Sequence, residues 1–232
     1  MTKYNHQSVQ AIGASLREIV FGMEDGMVST LGAVTGIAIG SQDHFTIVLA
    51  GLVIIAVESI SMGVGSYLSN RSQSELHHRY LHEEREEIKD YPHEEQHELE
   101  RMFIRDGWPP HLARQMTETA AGDRHLMLQE MAYRELNIAG TMRAAPLRNG
   151  FYMFGAYIIG GTVPLVAYLL LGVAQALPIS IGITLIGLFG LGAATTKLTK
   201  VNWVKAGLRI MILGGVAMAI GLIVGSLAKG IV

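Results

Sequence analysis

Five long apolar runs dominate the pattern of this chain, at roughly 19–41, 45–68, 151–174, 177–196 and 206–228. A helix needs roughly 20 apolar residues to cross a hydrocarbon layer, and each run has that length. The third and fourth contain no charged residue. The fifth carries only Arg209 near its start, where a long stem lets the guanidinium reach the interface. Residues 71–148, between the second and third runs, have the opposite character and hold fifteen of the twenty acids and seven of the nine histidines. The pattern predicts an all-α membrane protein with five transmembrane helices and a helical insert between the second and third. Its natural divisions are 1–70, 71–148 and 149–232.

Half of the residues are apolar, too many for an ordinary soluble domain of 232 residues. Residues 1–18 are polar and precede no cleavage pattern, so a signal peptide is not expected there. The absence of cysteine excludes disulfides, thiolate metal sites and iron–sulfur clusters together. A net charge of −2 gives no reason to expect a nucleic-acid partner.

Basic residues set the expected orientation. Lys3 and Arg17 precede the first run, eleven Lys/Arg lie in the insert, and Lys197, Lys200, Lys205 and Arg209 surround the turn between the last two. The opposite side has only Lys229. An excess of Lys and Arg marks the cytoplasmic side, which puts the N-terminus and insert in the cytoplasm and the C-terminus outside. With no targeting extension in view, the expected host is a prokaryotic inner membrane rather than a vacuolar one.

Carboxylates inside the runs change the picture from anchor to machine. Glu24 and Asp25 lie in the first and Glu58 in the second. An acid in hydrocarbon is expensive and is a functional-site hypothesis by default. Asp25 shares a helix face with Gly32, Gly36 and Gly40, which follow it by seven, eleven and fifteen residues. That small-residue ridge suits close helix contact, either with another helix of the same subunit or as a seam between two copies. Glu58, Met62, Gly65 and Ser69 form one stripe of the second run. Carboxylate and thioether one turn apart suit a borderline-soft cation such as ferrous iron, although most methionines are simply packed in cores.

The insert predicts three helical pieces: an extension of the second run as far as Pro92, a helix over 93–106, and a third piece over 111–138 with a break near Gly122. Glu84 and Glu87, and then Glu95 and Glu98, are three apart, so consecutive helices each present a carboxylate pair. Any one glutamate reads as part of a solvated face balanced by Arg79, Arg85, Arg101 and Arg105. Two pairs followed by Met127, Glu130, Met131 and Glu135 at helical spacing favour metal.

Two motifs point elsewhere. His93-Glu94-Glu95-Gln96-His97 satisfies H-E-x-x-H, a zinc-protease signature, but the run is hydrophilic throughout, whereas such a centre needs a dry cavity. Glu75 with His78, and Glu94 with His97, satisfy the Glu-x-x-His of di-iron bundles, which require four enclosing helices. A membrane-anchored di-iron or zinc enzyme is therefore the competing reading.

Over nearly its whole length the chain resembles the vacuolar iron transporter family. The resemblance rests on Gly22-Met-Glu-Asp-Gly26, Ser61-Met-Gly-Val-Gly-Ser-Tyr-Leu-Ser69, Gly160-Gly-Thr-Val-Pro-Leu165 and the Glu-rich insert, in that order. It implies a homodimer with a translocation path between two copies of the first transmembrane helix. The cargo implied is Fe2+, often Mn2+ too and with Zn2+ or Co2+ as further candidates, leaving the cytosol in exchange for H+. The insert would be a three-helix cytoplasmic domain that binds metal before transport. Asp25 matches the family's first-span acid, Met62 its second-span methionine, Glu84, Glu87, Glu95 and Glu98 its paired glutamates, and Met131 with Glu135 its last-helix ligands. Two departures stand out. Plant members carry a glutamate two turns before the methionine, where this chain has Ile54, with Glu58 one turn away instead; and Ala132 follows Met131, leaving Met127 to supply a second sulfur. The expected protein is a non-enzymatic, proton-coupled exporter of divalent metal embedded in a lipid bilayer.

Overall fold

A computed structural model describes residues 6–136 and 145–229. Among the described residues there are eight helices and no strand: α1 (His6–Gly40), α2 (His44–Asp90), α3 (Pro92–Arg105), α4 (Pro110–Ala121), α5 (Arg124–Arg134), α6 (Pro146–Leu170), α7 (Val173–Thr199) and α8 (Trp203–Lys229). They form two compact units, one of Met1–Leu68 with Ala145–Val232 and one of Ser69–Ala144.

In the first unit, α2, α6, α7 and α8 are long and apolar enough to cross a membrane. The fifth expected crossing, α1, is not among them, because Glu24 and Asp25 interrupt its apolar face. It packs instead as the inner helix, mainly on α6 and α8. Met27, Leu31, Val34 and Ala38 are almost wholly buried. Val34 and Ala38 join Ile47 and Ile55 of α2 and Leu165 and Tyr168 of α6 in one apolar cluster. The other side of α2 exposes Phe45, Leu49, Leu52, Val57, Ile60 and Val64, a surface matched to hydrocarbon rather than water.

The glycine ridge of α1 is taken up within the chain. A methyl group on Gly32 would come within 3.2 Å of the Ala217 carbonyl oxygen of α8, and one on Gly36 within 2.9 Å of that of Gly221. Backbones meet this closely only where the facing residues are small, here glycines and one alanine. Of the two readings of the ridge, packing inside the subunit is the one observed. A valine at Gly221 has no room against the Gly32 backbone. Gly221→Val should destabilise the protein by about 1–3 kcal/mol, seen as earlier thermal unfolding in detergent, whereas valine at Gly215, with open space around it, should not.

The helix ends refine the expected boundaries. The α1 helix already includes His6, well before the apolar run, and the chain after it turns through Gln42 at φ 54°. Asp43 caps α2 by accepting hydrogen bonds from the Thr46 N–H at 2.8 Å and hydroxyl at 2.6 Å. The third run ends at Leu170 rather than 174, because Leu171 is extended and Gly172 caps α7. Pro178 falls inside α7.

In the second unit, α2 continues without a break to Asp90, and Pro92 opens α3 at a position that needs no N–H donor. Gly107, at φ 98°, turns the chain out of α3. The third expected piece is two helices rather than one. Asp123 accepts the His125 N–H at 2.8 Å and so starts α5 afresh after Gly122. Residues 137 and 138 of that piece lie outside the described residues. Leu99, Met102, Phe103, Ala113, Ala120, Met127 and Met131 form the core of this unit, with Ile88 of α2 packed against them. A separate apolar core explains why so polar a segment folds compactly.

Candidate metal centre

Glu84 of α2, Glu95 of α3 and Glu135 just past α5 converge, each offering an oxygen within 4.8 Å of the others. Glu84 is 2% exposed and Glu95 8%, whereas Glu135 faces solvent. The local sequence explains the burial. Glu95 shares the apolar face of α3 with Leu99 and Met102, and Glu84 lies one turn before Ile88 on α2. Glu84 and Glu135 are hydrogen-bonded to each other, yet Glu84 Oε1 and Glu95 Oε2 have no partner. A buried carboxylate oxygen without a donor is costly, and a dication among these oxygens would remove that cost.

The electrostatics agree. Burial pushes the Glu84 carboxyl up to about 8, reinforced by the charges of Glu135 and Glu95. Burial likewise pushes Glu95 up to about 7, with Glu98 and Glu135 adding to it, and raises Glu135. Glu87 and Glu98 act on all three from alongside, so both paired glutamates belong to the surroundings of one centre. Oxygen-only donors suit Mn2+ and, as a borderline ion, Fe2+.

The remaining insert candidates fall elsewhere. Glu130 is tied to Arg134 at 2.6 Å and is not one of the converging acids. Met127 and Met131 lie in the apolar core, although Met131 is one turn before Glu135, whose N–H bonds its carbonyl at 2.8 Å. Arg134, missed in the sequence, holds the end of α5 in place: it reaches Asp106 at 3.4 Å and stacks 4.3 Å over the Phe103 ring. His93, Glu94 and His97 are all exposed, on the face of α3 away from its core, which is not a protease cavity.

The membrane unit holds the second group of candidates. Asp25 is half-buried on α1 and interacts electrostatically with Glu58 on α2. The Ser29 hydroxyl donates to the Asp25 carbonyl at 2.7 Å and sits 2.6 Å from the Tyr157 hydroxyl of α6. Tyr157 senses both acids. Glu58 is exposed and Met62 half-buried, on a side of α2 that also exposes Ser61, Gly65 and Ser69. Glu18, near the start of α1, was also missed: it is 4% exposed and accepts the Ser66 hydroxyl at 2.9 Å. Nothing in its local sequence distinguishes it from a surface acid beside Arg17.

With this geometry in view, the family assignment is decisive: the VIT family model matches residues 16–226. The chain belongs to the VIT family. Vacuolar iron transporter 1 of Eucalyptus grandis is 29% identical over 208 residues, covering 89% of this chain and 84% of the relative. Its namesake in Arabidopsis thaliana is 27% identical over 208 residues, with 89% and 83% covered. A vacuolar iron transporter of Acanthamoeba castellanii is 30% identical over 229 residues, with 97% and 82% covered. The resemblance read from the sequence is thus borne out. This VIT-family chain is an integral membrane protein that sits with transporters, not enzymes.

Proposed function

We propose that this protein exports ferrous iron, and manganese as a second cargo, from the cytosol in exchange for protons. The observation that carries the reading is the pair Asp25 and Glu58, two acids on α1 and α2 of the membrane unit, with the charge of Glu58 acting on Asp25. A membrane-anchored di-iron or zinc enzyme would need its acids only in the insert.

The parts take the following roles. Glu84, Glu95 and Glu135, with Glu87 and Glu98 beside them, collect the ion on the cytoplasmic side, and Met131 remains a sulfur candidate next to Glu135. Asp25, Glu58 and Met62 bind it partway across. Glu58 stands in for the glutamate that Ile54 replaces, and its interaction with Asp25 supports that substitution. α1 serves as the fifth crossing, shielded by α6 and α8. The exposed polar stripe of Glu58, Ser61, Gly65 and Ser69 is unsuited to lipid and favours a homodimer whose path it lines together with α1. The basic turn between α7 and α8 supports a cytoplasmic insert and an outside C-terminus.

Cells expressing the protein should hold less cytosolic iron and survive an iron load that kills control cells. Unchanged or raised cytosolic iron, with the protein correctly inserted, would overturn the direction proposed.

A further inference from the structure

We propose that a cavity between α2 and α5 of the second unit binds the phosphate groups of a small di- or triphosphate anion. The site is separate from the metal acids and independent of the direction and ion of transport. The cavity has a volume of about 310 Å³, at the lower end of what small-molecule sites enclose. From α2 it is lined by Arg85, Ile88 and Lys89, and from α5 by Arg124, His125 and Leu128. Ile88 packs against the apolar core to which Met127 of α5 belongs, so the two walls are tied through that core.

The charge of this hollow runs against its surroundings. Residues 71–148 hold fifteen acids against eleven Lys and Arg, yet the cavity gathers Arg85, Lys89 and Arg124 with Glu86 as its single acid. Glu86 is tied to Lys89 at 3.2 Å. Asp123, beside Arg124, accepts the His125 and Leu126 N–H groups on Oδ1. Elsewhere in the unit Arg79, Arg114 and Arg134 each close on a glutamate four residues away. Arg85 has Leu81 and Lys89 at that spacing, and Arg124 has Ala120 and Leu128. Neither makes an ion pair among the described residues. Like charges four apart, as in Arg85 and Lys89, also weaken a helix. An anion in the cavity relieves both costs.

Phosphate suits this donor set. A guanidinium fork matches two phosphate oxygens at once and keeps its charge, and an ammonium adds a point charge. Two forks and an ammonium drawn from two helices match a polyanion, whereas a monoanion would leave cations unpaired. Ile88 and Leu128 give the rest of the molecule an apolar wall. The same phosphates come on a free molecule, such as pyrophosphate or a nucleotide, or on a polyphosphorylated lipid headgroup. None of Glu84, Glu95 and Glu135 lines the cavity, so changes to its cations leave the converging acids in place.

Calorimetry on the full-length, metal-free protein in detergent tests the site. Inorganic pyrophosphate, ATP and micelles doped with a bisphosphorylated inositol lipid form separate arms. At least one should bind about tenfold more tightly than sulfate at equal ionic strength, because several charge-assisted contacts act together. Arg85→Gln with Arg124→Gln should weaken that binding at least about tenfold. Arg101→Gln with Arg105→Gln removes the same charge from exposed positions of α3 and should change it by less than about twofold, since distant exposed charges are screened. Unchanged manganese binding, measured separately, shows that each variant is folded. If the cavity variant fails that control, the single change Lys89→Gln decides instead, with an expected loss of about threefold. Binding of pyrophosphate or ATP assigns a soluble ligand, and binding in the lipid arm alone assigns the headgroup. No arm tighter than sulfate would overturn the site, as would full binding by the folded cavity variant or by Lys89→Gln. An equal loss in the α3 variant would also overturn it, because net charge rather than the cavity would then be responsible.

Discussion

Iron flux through liposomes carrying the Asp25→Asn protein should fall by about a hundredfold or more, corresponding to ~2.7 kcal/mol or more on the barrier. Asparagine keeps the size and an oxygen but removes the charge that offsets dehydration of a divalent ion. In a low-dielectric site that charge cannot be replaced by solvent. The partner effect matters as well, because Asp25 and Glu58 interact across α1 and α2, and an ion between them would lose half of its countercharge. Glu24→Gln should cost less, since Glu24 is balanced in part by Arg209. Flux measured at matched insertion decides the matter, and near-normal transport by Asp25→Asn would remove Asp25 from the path.

The second large effect belongs to the insert. Glu84→Gln with Glu95→Gln should weaken metal binding by the full-length protein at least about tenfold, comparable to losses seen when groups supporting a metal site are removed. Binding should also depend on pH in a definite direction. With Glu84 up at about 8 and Glu95 at about 7, the metal-free site holds protons near neutrality, so a dication must displace them. Affinity should therefore rise from pH 6 to pH 8, with protons released into the buffer. The stability of the metal-free unit runs the other way. Carboxyls with folded values raised above their unfolded ones stabilise fully below about pH 4, and that contribution is lost as pH rises through 7 and 8. Calorimetry in two buffers of different ionisation heat reads the proton release, and pH-independent binding would show that these carboxylates are not the ligands.

The depth to which the amino-acid pattern revealed this molecule follows from the range of each signal. Apolar runs report hydrocarbon-length helices directly, so α2, α6, α7 and α8 were readable. The α1 helix was recognised as a long helix too, but its shielding by α6 and α8 depends on packing that no local pattern encodes. The spacing of Gly32, Gly36 and Gly40 announced close contact without naming the partner, and α8 proved to be that partner. The paired glutamates were visible by their i, i+3 spacing. That Glu84 and Glu95, not Glu87 and Glu98, are the buried members follows from the apolar face each helix turns inward. Glu130 has a ligand's spacing, but spacing does not show that Arg134 one turn later pairs with it at 2.6 Å. Glu18 and Tyr157 escaped notice because their importance lies in long-range contacts, to Ser66 and to Ser29.

Proton-coupled export is tested most directly by recording both ions at once in liposomes containing the wild-type protein, with a metal-sensitive dye and a pH-sensitive dye inside. Metal should enter through outward-oriented cytoplasmic faces while protons leave. The two signals should share one time course, and both should vanish in Asp25→Asn. Acidifying the cytoplasmic side should slow both, because protons then compete for the Glu84 and Glu95 oxygens. Metal entry with no pH change, equally fast with and without a proton gradient, would contradict the antiport and describe a channel or uniporter.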